Sequence, residues 1–163
     1  MKLKRKAHRY YTRAKSTDAW FLVGRGLEEL SVEMNGSFEQ KTDVTGETTT
    51  SDKGYAPQAS VSPYYADPND GAWYEFLKDL ALNRKSGDDA KAELMEVLIE
   101  DTEAASHDAW KENCRIEIVS YGGDTSGFQI AYNIWSDGER AEGSATYSGN
   151  TPTWSDGSNA LGD

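Results

Sequence analysis

Almost nothing in this chain of 163 residues suits it to hold a soft metal or form a covalent crosslink: it has one cysteine, Cys114, and two histidines, His8 and His107. A single thiol makes no internal disulfide, so nothing argues for an oxidising compartment, and assembly in a cytoplasm is the simpler expectation. One thiol and two distant imidazoles fall short of any zinc spacing. No apolar run approaches the ~20 residues of a membrane-spanning helix, so membrane insertion is not expected. The N-terminal MKLKRKAHRYYTRAK has the cationic front of a signal peptide but not the apolar stretch and cleavage site that follow in one.

Catalytic patterns are missing as well. His107-Asp108 has serines elsewhere to complete a triad in name, but no Gly-x-Ser-x-Gly elbow carries one. Gly24-Arg25-Gly26 lacks the third glycine of a dinucleotide fingerprint and precedes a strand pattern, so it reads as a turn. Asp67-Pro68-Asn69-Asp70-Gly71 has the acids of a calcium loop, but Pro68 interrupts it and no glutamate closes it. The remaining carboxylates are scattered at strand spacings and loop tips as on a solvated face, and Cys114 reads as an inert small residue. No enzyme activity, cofactor or metal is expected.

Charge is plentiful and segregated. Residues 1–25 carry eight Lys/Arg against Asp18, a net of +7, whereas the rest carries nine basic and 27 acidic residues, a net of −18. A basic segment ahead of an acidic body suits self-association, with the arm of one copy lying on its neighbour. Solvated disorder and nucleic-acid binding are the other readings, the second opposed by the acidic body, which repels phosphate.

Most of the chain reads as strand. Leu30, Val32 and Met34 alternate with Ser31, Glu33 and Asn35, the period of a half-buried strand. Phe38–Val44 and Tyr55–Val61 are strand-compatible arms on either side of Thr45–Gly54, a polar tip, and this long hairpin has too few large apolar residues to bury both its faces. It therefore calls for a neighbour. Trp20–Val23 is a short strand candidate, while residues 1–18 have no clean period and read as an extended basic arm. Trp73, Phe76, Leu77, Leu80 and Ala81 form one helical stripe, with Asp67 or Asp70 as cap and Asn83, Arg84, Lys85 and Gly87 closing it. Ala90–Asp101 is ambiguous between helix and strand. Arg115–Tyr121, Phe128–Ile134 and Glu139–Tyr147, separated by Gly122-Gly123-Asp124 and Asp137-Gly138, predict a β-meander, and residues 149–163 a flexible polar tail. The domain plan is thus an arm (1–18), a β domain (19–148) and a tail (149–163). Exposed tryptophans, Trp135 and Trp154 among them, leave a second function class open, a non-catalytic carbohydrate-binding β-sandwich module.

The run KGYAPQASVSPYYADPNDGAWYEFL (Lys53–Leu77), the run AWKENCRIEIVSYGGDTSGFQIAYNIWSDGERAEGSAT (Ala109–Thr146) and the opening strand GRGLEELSVEM (Gly24–Met34) resemble the major tail, or tail tube, proteins of long-tailed bacteriophages, over most of the chain from Val23 to Thr146. The resemblance lies in the order of elements and in no single motif. It implies an antiparallel β-sandwich or partial barrel with one flanking helix, as in type VI secretion tubes, in which a long hairpin completes a barrel between subunits. It also favours a strand for Ala92–Glu100. Six copies would close into a ring, and rings would stack into a tube in the virion tail, with the tape-measure protein and other tail proteins as partners. DNA would pass through the lumen without specific binding. Ring stacking would fall to the hairpin tip and the arm, by way of Thr45, Glu47, Asp52, Lys53, Arg5, Arg9 and Arg13. Inner-strand residues pointing away from the core, Glu33, Glu39, Gln58, Ser60 and Ser62, would line the bore, and Trp73, Phe76, Leu77 and Leu80 would pack the helix.

Overall fold

The computed structural model describes residues 2–156. Among them the chain forms eleven strands and one α-helix: β1 (His8–Arg13), β2 (Phe21–Val23), β3 (Val32–Glu33), β4 (Phe38–Thr42), β5 (Thr48–Asp52), β6 (Gln58–Tyr65), α1 (Ala72–Leu82), β7 (Lys91–Leu98), β8 (His107–Asp124), β9 (Gly127–Ser136), β10 (Ala141–Ser148) and β11 (Thr151–Asp156). Antiparallel pairing joins seven strands in the order β2-β1-β7-β8-β9-β6-β3, which curl into an unclosed half-barrel. β10 and β11 extend this sheet from β8, while β4 and β5 stand apart as a two-stranded ribbon. The protein is mainly antiparallel β with one helix, as its alternating pattern predicts.

The helix is where its apolar stripe places it. Trp73, Leu77, Leu80 and Ala81 are buried against the inner face of the curl, and Phe76 is half-buried beside them. Phe21 of β2 stacks on Trp73 at 6.1 Å and meets Tyr64 of β6 edge-on at 6.0 Å, so one side of the half-barrel approaches the other across the helix. The Trp73 indole N–H donates to the fully buried Tyr132 hydroxyl at 3.3 Å, which satisfies both polar tips inside the core. Asp67 caps the short 3-10 turn at Pro68–Asp70 by accepting from the Asn69 N–H at 2.9 Å, and Asp70 accepts the Tyr64 hydroxyl at 2.6 Å. The N-cap of α1 itself is Gly71, with φ of 69°, so neither aspartate caps the helix directly. The chain leaves α1 through Arg84 in the left-handed region, φ 53°, and the Lys85 N–H returns to the Leu80 carbonyl at 3.2 Å.

Four sequence expectations need correction. The basic arm is no arm beyond its first residues: His8–Arg13 is β1, held between β2 and β7, with Tyr10, Tyr11 and Thr12 buried. The polar tail is a strand over Thr151–Asp156, paired with β10, and residues 157–163 lie outside the described residues. The meander is interrupted: β10 pairs with the first part of β8, Ala141↔Lys111 to Ala145↔His107, on the edge that β9 uses farther along. Asp137-Gly138 is therefore a break in one long edge partner of β8 and not a hairpin turn. β10 and β11 approach closely because Gly143 has no side chain; a Cβ there would lie 2.3 Å from the Ser155 carbonyl oxygen. Finally, Tyr55–Val61 does not pair with Phe38–Val44. The β-branched run Thr48–Thr50 leads β5 instead, against β4, and β6 takes β3 and β9 as neighbours. The ambiguous segment around Ala92–Glu100 is β7, buried on alternate sides, with Ala92 and Leu94 in the inner core and Met95 and Val97 in a second cluster.

That second cluster lies on the other face of β1 and β7. Tyr11, Met95, Val97, Ile99, Ala109 and Ala145 are buried there beneath Trp20, Leu22, Tyr147 and Trp154. Cations cover its aromatic rings: Arg9 over Tyr147 at 5.3 Å, Arg13 over Trp20 at 4.0 Å and Lys111 over Trp154 at 5.4 Å.

On the inner face a charged network bridges the break between β9 and β10. Arg140 reaches Glu96 at 3.1 Å and Glu112 at 3.0 Å, His8 meets the other Glu96 oxygen at 2.8 Å, and the Ser136 hydroxyl donates to Glu112 at 3.0 Å. Burial pushes the Glu112 carboxyl above its usual range even beside Arg140. Burial pushes Glu96 the same way, but the His8 hydrogen bond and the Arg140 charge outweigh it and hold that carboxyl below its usual range. Arg140→Met would leave the buried Glu112 without its cation and Glu96 with His8 alone, and because Arg140 is itself partly in solvent the protein is expected to lose about 1–3 kcal/mol of stability at neutral pH. The sign follows from linkage. A depressed Glu96 adds stability above its unfolded pKa and loses it as pH falls, while a raised Glu112 is relieved by protonation, so the difference between wild type and variant should shrink on acidification through the carboxylate range. Denaturant unfolding of both proteins at neutral and acid pH checks this; a gap that widens on acidification would contradict it.

Candidate self-association surface

The ribbon is the one element with no cover. All ten residues of β4 and β5 are exposed, and Phe38, Val44 at the tip and Tyr55 at the base expose large apolar side chains. Local chemistry defines its register. Asp43 accepts the Thr45 N–H at 2.8 Å and the Glu47 N–H at 3.2 Å, with Gly46 in the left-handed region at φ 88°, which closes a short turn. The Thr45 hydroxyl and these N–H groups hold the Asp43 carboxyl below its usual range. Pairing runs from Phe38↔Asp52 to Thr42↔Thr48, with the Thr42 and Thr48 hydroxyls 3.1 Å apart and the Gln40 amide donating to Thr50 at 3.2 Å. At the base, Lys53 N–H donates to the Ser37 carbonyl at 2.8 Å, and Ala56 N–H to Met34 at 3.0 Å, which carries the ribbon on from β3 and β6. Half of the expected tip, Thr45–Gly54, is thus strand, β5 over Thr48–Asp52. Of its named residues, Thr45 and Glu47 lie at the turn, while Asp52 accepts the Gly54 N–H at 2.6 Å beside Lys53.

The arginines assigned to stacking are elsewhere and occupied. Arg5 donates to the His8 and Leu30 carbonyls, each at 2.7 Å, Arg9 covers Tyr147, and Arg13 pairs with Glu93 at 2.6 Å. They tie β1 into its own subunit, Arg13 through an ion pair and Arg5 and Arg9 through carbonyls and a ring.

The bore candidates divide. Glu33, Gln58 and Trp135 occupy one row across β3, β6 and β9, and Ser60 pairs with Asn133 in the next. The Ser60 hydroxyl donates to the Asn133 side-chain oxygen Oδ1 at 2.8 Å, and the Asn133 amide and the Trp135 indole both donate to Glu117, at 2.6 and 3.3 Å. This polar, mostly exposed outer face of the curl brings together Glu33, Gln58, Ser60 and Ser62. Glu39 is not part of it; it stands on the ribbon. Glu117, Asn133 and Trp135 belong to the same face and were not singled out from the sequence, although the alternation of β9 against Ile130, Tyr132 and Ile134 marks Asn133 and Trp135 as outward.

The tryptophans form no shared platform. Trp73 is in the core, Trp20 and Trp154 lie under cations, Trp110 is near Arg140 at 5.8 Å, and Trp135 alone of the five is 36% exposed. Among the described residues, no group of three or more His, Cys, Asp or Glu side chains could hold a metal. No family model matches the chain, and the search of curated proteins found no match.

Two outcomes follow. Because the ribbon buries nothing, replacing Glu39–Ser51 by an Asn-Gly turn should leave stability within about 1 kcal/mol of wild type, measured by denaturant unfolding. Cys114 is buried, and burial pushes its thiol far above the usual range, so it should resist alkylation in the folded protein and react once unfolded, as read by mass spectrometry.

Proposed function

We propose that this chain is a structural protein that assembles with copies of itself into stacked, hexameric rings, forming the tube of a phage tail through which genome passes into the host. The observation that carries the reading is the ribbon β4–β5, uncovered on both faces in the isolated subunit. Two strands with no packed face are marginal in water, and their unpaired edges invite another chain. Copies of the same protein are the partner that a tail tube supplies, and the sequence runs between Gly24 and Thr146 resemble that family, although Tyr55–Val61 is not the second arm of the hairpin and Asp137-Gly138 is not a hairpin turn. The hairpin then completes a barrel between subunits.

In this arrangement the outer face of β3, β6 and β9, with Glu33, Gln58, Ser60, Ser62 and Glu117, faces the bore. The row through Glu33, Gln58 and Trp135 continues into Arg115 and Lys91, but Asp137 and Asp88 pair with these two cations, so the surface holds phosphate weakly and a duplex slides without being gripped. No bond is made or broken. The tape-measure protein occupies the bore before DNA does, and the assembled tube belongs to the virion after assembly in the host cytoplasm. Arg5, Arg9 and Arg13 have no part in stacking here, being used inside the subunit; Thr45, Glu47, Asp52 and Lys53 keep it.

Negative-stain microscopy of the purified chain should show rings or tubes, and the variant with Glu39–Ser51 replaced should remain folded and monomeric. A wild-type chain that stays monomeric at high concentration would sink the proposal. Binding of glycans by that monomer, lost on Trp135→Ala, would favour the carbohydrate-binding alternative.

A further inference from the structure

The sheet has a second unfinished edge. Pairing of β7 with β8 ends at Lys91↔Arg115, yet β8 runs on to Asp124 with only β9 beside it, on the opposite edge. Residues 116–124 therefore present a row of backbone N–H and C=O groups that no other strand takes among the described residues. The C-terminal end of α1 stands next to this edge and makes a groove of about 600 Å3, lined by Leu80, Ala81, Arg84, Lys85, Ile116 and Ile118. Its floor is apolar, and its rim carries Arg84, Lys85 and Arg115 against Glu117, with Lys85 paired to Asp79 and Arg115 to Asp137. The groove has the features of a β-addition site: an open strand edge for main-chain pairing, with a flanking wall to select what enters.

We infer that this edge is the acceptor for the β4–β5 ribbon of a second copy. The inference rests on the self-assembly reading and names the surface that the ribbon meets. Three observations favour that occupant. The ribbon has two free edges, each five residues long, short enough to fit along the nine open positions of β8. Between Phe38 and Gly54 it carries Glu39, Asp43, Glu47 and Asp52 against Lys41 and Lys53, and none of these is in an ion pair among the described residues, so a net-acidic ribbon meets a rim with more cations than acids, Arg84 among them in no ion pair. Its exposed Phe38 and Tyr55 supply apolar area for the groove. A chain cannot fill its own edge, because its ribbon leaves the sheet at β3 and β6, on the far side of β9. Donor and acceptor are different surfaces, so the contact is head-to-tail, the kind that forms a ring when the rotation from copy to copy closes.

Hydrogen exchange read by mass spectrometry on the full wild-type chain tests this, comparing dilute monomer with material that microscopy shows to be assembled. Amides in Ile116–Asp124 and in Phe38–Asp52 should slow together by about tenfold or more on assembly, with Phe21–Val23 as the edge strand that does not change. Assembly with Ile116–Asp124 exchanging as fast as in the monomer overturns the inference while leaving the tube reading intact, and so does protection there without protection of the ribbon. Failure of the chain to assemble at all overturns both.

Discussion

A single helix fills the concavity of the curled sheet, and most of the architecture follows from that packing. Trp73, Leu77 and Leu80 project from one stripe of α1 into side chains from β1, β2, β6, β7, β8 and β9, so strands that never pair are held by a shared core. With one face of the sheet committed to the helix, the strands β6 and β9 turn their polar side chains outward, and the short strand β3 ends the sheet after two residues. The curl stops before closure. That leaves backbone edges open at β8 and along the ribbon, which is the structural origin of the proposal that copies complete one another.

The second organising feature is how charge is used. Eight cations near the N-terminus invite a reading in terms of an external anion, but β1 turns two of them, Arg9 and Arg13, onto its own subunit, with Arg13 on Glu93 and Trp20 and Arg9 on Tyr147, and His8 beside them on Glu96. Arg140 does the same work from the other side of the chain, clamping the gap between β9 and β10 to β7 and β8 through two carboxylates. The ribbon has no part in these ion pairs, and the contrast between a body held by buried and half-buried charge contacts and a ribbon with none is what separates fold from proposed function.

Legibility of these elements in the sequence tracked how strongly burial differs between their faces. The α1 stripe and the alternation Phe128, Ile130, Tyr132, Ile134 of β9 were plain because one side is core and the other solvent. β1 was hidden because both of its sides are covered: Tyr10 and Thr12 face one cluster while Tyr11 and Arg13 face the other, and cations lying over rings look like a solvated run. β11 escaped notice because its residues are small and polar, apart from Pro152 and Trp154, and its pairing depends on the missing side chain of Gly143. The ribbon was read as a hairpin, but its register was not, since Thr, Ser and Asp at the tip offer no apolar face to set it. The polar outer face was found through Glu33, Gln58, Ser60 and Ser62, while its members on β8 and β9 depended on register that only tertiary structure supplies.

A ribbon that touches nothing in its own subunit is also uncoupled from that subunit's selection for folding. Substitutions in the body are filtered by whether the chain folds, whereas substitutions between Phe38 and Asp52 escape that filter. Under the proposed assembly, such a segment is free to diverge quickly and in concert with its acceptor, so that two lineages with interchangeable bodies would come to reject each other's subunits.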